Sequence, residues 1–126
     1  MSLMSPLNRV LGLGTGNGAA EHWWLQRMTA VALLPLGLWL AFELLTLGNF
    51  SYASVVAWVR EPVTSILLIL LVVAVGYHSA LGVQVVIEDY VTGKGTRAAT
   101  LMVSTLAHVG LTIAAVFAVL KIAFGS

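Results

Sequence analysis

Polar and apolar positions in this chain are segregated into blocks, with little strand-like alternation. Met28 to Leu47 contains one charge, Glu43, whereas Val63 to Ile87 and Ala98 to Leu120 contain none. At about 1.5 Å per residue, a helix through any of the three crosses the roughly 30 Å hydrocarbon layer of a membrane. The pattern therefore predicts transmembrane helices over 25–47, 62–89 and 98–124. Gly48-Asn49 is expected to stop the first helix and Glu61-Pro62 to start the second, leaving a loop at 48–61. A shorter loop at 90–97 holds the polar run Thr92-Gly93-Lys94-Gly95-Thr96, which makes the last two helices antiparallel neighbours. Residues 1–24 form an N-terminal segment, and three crossings place the two termini on opposite sides.

Composition sharpens this picture. The chain has 126 residues, 60% hydrophobic and 9% charged, with mean hydropathy +0.99. Soluble domains carry about 25% charged residues, so the expected class is an all-α integral membrane protein. A net charge of +1 with no basic stripe argues against nucleic acid as a partner. The absence of cysteine excludes disulfides, thiolate nucleophiles and iron–sulfur clusters held by this chain. No secretory signal peptide or transit peptide is expected, because the first long apolar run starts near Leu25, behind a polar, glycine-rich and arginine-poor stretch. Gly12 to Gly18 lacks both the preceding strand and the following Lys-Ser/Thr of a phosphate-binding loop, and is expected to be a linker.

Orientation follows from the basic residues. Arg9, Arg27, Lys94 and Arg97 fall on the side of the N-terminus, and Arg60 and Lys121 on the other. That bias predicts a cytoplasmic N-terminus and a cytoplasmic 90–97 loop. Trp23, Trp24 and Tyr90 then lie at the cytoplasmic interface, with Tyr52 and Trp58 at the opposite one. Glu43, near the outer end of its helix, is expected to snorkel to water.

Candidate chemistry begins with His78, an imidazole within the uncharged run 63–87. A polar group in hydrocarbon must find a partner, and an ionisable residue there points to function. Gly82, one turn on, leaves room for a flat, bulky group beside the imidazole. Space next to a neutral imidazole in a helical bundle suits axial ligation of haem iron. A hydrogen bond to another helix, with Gly82 serving close helix packing, is the alternative that the residues leave open. Asp89 lies eleven residues beyond His78, within about 20° of the same face and roughly 16 Å further along. With Tyr90 it ends the second helix, where a phenol can donate to a quinone carbonyl and a carboxylate can position it or relay protons; an interfacial tyrosine beside a solvated acid is the other reading. Glu88 is the weaker acid candidate. Arg27, at the cytoplasmic start of the first helix, suits either haem propionates or lipid phosphate. His108 lies at nearly the depth of His78 but lacks a partner acid, and is expected to be packed and hydrogen-bonded. His22 is expected to be an interfacial polar residue.

The order His78, Gly82, Gln84, Val86, Ile87, Asp89, Tyr90, Val91 resembles the small hydrophobic membrane anchor of succinate dehydrogenase, the small cytochrome b chain of that enzyme. Gln26-Arg27-x-Thr29-Ala30, followed by Leu33, Leu34, Pro35 and Trp39, resembles the same family. The likeness runs from Trp23 to the end. It implies a component of complex II in a bacterial inner membrane, inactive alone, anchoring a flavoprotein and an iron–sulfur protein in electron transport and the tricarboxylic acid cycle. It implies half of a heterodimeric helical bundle, in which a second membrane cytochrome b subunit shares haem b and the ubiquinone site. Residue by residue, it makes His78 the axial ligand of the haem iron, places Arg27 near the propionates, and assigns Asp89 and Tyr90 to the ubiquinone site. A cofactor-free structural or assembly protein, or a transporter protomer, is the competing expectation.

Overall fold

The computed structural model describes residues 16–125, and these form four helices: α1 (Gly16–Thr46), α2 (Tyr52–Arg60), α3 (Pro62–Tyr90) and α4 (Lys94–Phe124). Three of them, α1 from Ala20, α3 and α4, are long and apolar enough to cross a membrane. At 29 residues, α3 extends about 44 Å, so its ends emerge from the hydrocarbon layer. Expectation and structure agree on three long helices and differ at their ends. Helix α1 begins at Gly16, so the last glycines of the expected linker are helical, and Arg9 and Gly12 to Gly14 lie outside the described residues. Most of the expected 48–61 loop is the short helix α2, and only residues 91–93 separate α3 from α4.

Local chemistry accounts for these boundaries. Gly48 has φ +68°, the left-handed conformation that closes a helix and that only glycine adopts without strain. Asn49 Oδ1 then accepts from the Ser51 amide at 2.9 Å, and the Ser51 hydroxyl accepts from the Ser54 amide at 3.3 Å, capping α2. Pro62 sits in the first turn of α3, where its missing N–H costs nothing. The Arg97 side chain donates to the Val91 carbonyl at 2.8 Å, fastening the α3–α4 turn. At the far end the Arg60 guanidinium donates to the carbonyls of Ile122 (3.2 Å) and Gly125 (2.6 Å), placing a cation on the negative end of α4.

Helix α3 is the middle element: it packs on both α1 and α4, which do not pack on each other, while α2 lies across the ends of α3 and α4. Helices α3 and α4 approach closely at Gly76. A Cβ built there would collide with the Thr112 hydroxyl on α4 and lie 3.3 Å from Thr112 Cβ. Small residues let membrane helices approach in this way, since burial from water gives no drive between helices already in lipid. Among the described residues the interior is thin: Val59, Leu81 and Ile87 are its buried apolar side chains, and Thr64 and Ser65 its buried polar ones. Large apolar side chains such as Leu34, Phe42 and Phe117 face outward, each more than 60% exposed. That exterior suits lipid and further helices, not water.

Glu43 departs from expectation. It does not simply reach for water but is half-buried, and its carboxylate accepts the Trp58 indole N–H at 2.8 Å. Trp58 in turn stacks on Trp39, with ring centroids 6.3 Å apart. The acid therefore ties α2 back onto α1.

Candidate functional site

Helix α1 carries His22, Gln26 and Thr29 on one stripe, because steps of four and three residues return to nearly the same face. In the groove between α1 and α3, Gln26 and Thr29 of that stripe meet His78. The Thr29 hydroxyl lies 3.0 Å from His78 Nδ1, and the Gln26 side-chain nitrogen lies 3.5 Å from Nε2. Gly82 opens onto the same space, where a Cβ would come no nearer than 3.8 Å to the Gln26 amide. His78 is half-buried, with Nδ1 firmly held and Nε2 only loosely approached.

His108 is held differently. Its Nδ1 lies 2.8 Å from the Ser104 carbonyl, which can only accept, so the ring proton is on Nδ1. Nε2 then accepts from the Ser79 hydroxyl at 3.1 Å. Both ring nitrogens are satisfied within the α3–α4 pair, which matches the packed, hydrogen-bonded role expected of this residue.

Nearer the end of the groove, Glu88 accepts from the Gln84 amide at 2.8 Å. These two residues, with Gly18 and His22, line a cleft of about 320 Å³. Among the described residues His22 Nε2 is buried without a partner, as is Gln26 Oε1, so His22 is more enclosed than an interfacial residue need be. A buried, unpaired polar atom in this setting costs several kcal/mol, which leaves both atoms ready for water or a neighbouring group.

The remaining candidates stand at the rim. Asp89 and Tyr90 are exposed at the end of α3, Tyr90 by 81%. Arg27, one residue past Gln26, is at the same depth but turned about 100° around α1. Its guanidinium lies over the Trp23 ring, 5.3 Å from the centroid, and not against His78. The fold thus brings His78 and Gly82 together, and leaves Arg27, Asp89 and Tyr90 facing outward. Sequence reasoning missed Thr29 and Gln26 as partners of His78. Their four- and three-residue spacing after His22, in a largely apolar helix, was the available signal.

Residues 1–119 match the family described as succinate dehydrogenase/fumarate reductase transmembrane subunit. A succinate dehydrogenase hydrophobic membrane anchor subunit from Rickettsia bellii is 38% identical over 85 residues, 67% of each chain. The protein of that name from Paracoccus denitrificans is 26% identical across the whole of this chain and 97% of its own length. A succinate dehydrogenase membrane anchor subunit from Reclinomonas americana is 37% identical over 79 residues, which is 60% of this chain and 66% of the relative.

Proposed function

The chain belongs to the succinate dehydrogenase/fumarate reductase transmembrane subunit family, and on that footing we propose that it supplies half of a haem b site at His78 and part of a ubiquinone site at Asp89 and Tyr90. As a multi-pass membrane anchor it is part of an oxidoreductase complex. In this reading it carries no complete active site of its own. A flavoprotein and an iron–sulfur protein dock on its cytoplasmic side, and a second membrane cytochrome b subunit covers part of its apolar exterior.

The observation that carries the reading is the state of His78. Its Nδ1 is tied to Thr29 while Nε2 has only a 3.5 Å approach from Gln26. The donor set fits haem better than a bare ion. Among the described residues no group of three or more His, Asp or Glu side chains could hold a metal, and a porphyrin brings its own equatorial nitrogens, asking the protein only for axial ligands. Among the histidines, His78 is the donor deep in the bundle with a loosely approached nitrogen, the missing side chain of Gly82 adds room one turn on, and Arg27 is at the right depth to pair with the propionates. When bound, haem supplies a one-electron carrier inside the membrane.

Quinone reduction needs a hydrogen-bond donor at the carbonyl oxygen that gains charge, and a proton source. The Tyr90 hydroxyl provides the donor and Asp89 orients it or passes a proton. Both are at the helix end, where electrons from an iron–sulfur protein arrive if that end is cytoplasmic. The test is to purify the complex from bacterial inner membranes in mild detergent and record its reduced-minus-oxidised spectrum. A b-type band with the catalytic subunits present supports the proposal. A colourless preparation favours a cofactor-free structural or transport role.

A further inference from the structure

Thr29 sits at a junction that its own hydrogen bonds define. Its Oγ1 lies 2.9 Å from the Leu25 carbonyl oxygen, 3.0 Å from the Gln26 carbonyl oxygen and 3.0 Å from His78 Nδ1. Carbonyl oxygens only accept, and a hydroxyl has a single proton. Without that proton between them, the hydroxyl and carbonyl lone pairs would face one another at hydrogen-bond distance. The Thr29 proton is therefore committed to its own helix, and the contact with His78 needs a proton from the imidazole. Nδ1 is the protonated nitrogen and Nε2 bears the lone pair.

We infer that Thr29 is the positioning residue for the haem ligand. Helix α1 reads out its own backbone through the Thr29 hydroxyl, fixes the Nδ1–H tautomer of His78, and so presents an Nε2 lone pair to iron before any cofactor arrives. The inference rests on the proposal that His78 binds haem. A donor bond from the second imidazole nitrogen orients a metal-bound histidine and raises its basicity. A more basic ligand favours ferric over ferrous iron, so the Thr29 bond holds the haem potential down. Removing it should raise the potential and loosen haem together. Simple loss of packing in the groove would lower haem content without that directed shift.

The experiment compares Thr29→Val, which keeps the side-chain shape without the hydroxyl, with Thr29→Ser, which keeps the hydroxyl. Haem is measured per assembled complex, with the haem midpoint potential and low-spin electron paramagnetic resonance spectrum. Thr29→Val is expected to weaken haem retention about 10- to 100-fold and to raise the potential. A tenfold loss of ferric over ferrous preference corresponds to about 59 mV. Thr29→Ser is expected to behave as wild type. If Thr29→Val accumulates poorly, Thr29→Ala is measured in the same way, and haem per surviving complex decides. Wild-type potential and haem ratio in the hydroxyl-less variants overturn the role of Thr29. His78→Ala, run alongside, separates the two claims: if it keeps the b-type spectrum, the ligand assignment fails as well, and if it loses the spectrum, only Thr29 has been misassigned.

Discussion

Gly76 on α3 and Thr112 on α4 are in such close contact that no Cβ fits between them. The contact lies one helical turn from the His108–Ser79 bond and sets how closely these two helices approach. Gly76→Ala should force the helices apart, at a cost of about 1–3 kcal/mol. Thr112→Ala, which removes the colliding atoms, should be mild alone and should restore most of the loss when combined with Gly76→Ala. Resistance of the detergent-solubilised complex to heat measures both. If the two substitutions simply add, the contact is not the cause.

Orientation rests on the distribution of Lys and Arg, and the chain suits a direct test because it contains no cysteine. Gly95 is exposed, with nothing within 4 Å of a Cβ added there, and Phe50 is exposed between α1 and α2. With a cytoplasmic N-terminus, Gly95→Cys should resist a membrane-impermeant thiol reagent in cells with a permeabilised outer membrane, and Phe50→Cys should react. The reverse pattern would invert the topology and move Asp89 and Tyr90 away from the catalytic subunits.

Tyr90→Phe removes one hydroxyl from an exposed side chain that the chain itself does not bury. Loss of a donor that strengthens as the quinone oxygen gains charge costs roughly 1–3 kcal/mol, or about ten- to a hundredfold in turnover. Succinate–quinone activity should fall by that factor, with haem content and succinate oxidation by an upstream artificial acceptor unchanged. Wild-type quinone turnover across quinone concentrations would leave Tyr90 as an interfacial aromatic only.

The three long helices were legible because an apolar run in lipid has few alternatives to a helix: every backbone group must be paired within its own segment. Helix α2 was not. Its apolar run, Tyr52 to Trp58, is too short to signal a crossing, and it is fixed by tertiary contacts such as the Trp58 bond to Glu43. For the same reason Glu43 read as an acid seeking water, because its indole partner lies fifteen residues away, across a turn. In the groove, the depth of His78 and the gap at Gly82 were visible in the sequence. The assignment of Thr29 to its Nδ1 depends on how α1 is rotated against α3, and one sequence does not fix that rotation. Gly76 was hidden likewise, since nothing in its neighbourhood names Thr112.

The central claim is that of two histidines at similar depth, His78 holds iron and His108 is spent on Ser79 and Ser104. The most direct measurement is the reduced-minus-oxidised spectrum of the assembled complex carrying either His78→Ala or His108→Ala. The b-type low-spin band should vanish or shift in the first and persist in the second. An unchanged band in His78→Ala, or one lost only in His108→Ala, would contradict the account and move the ligand to α4.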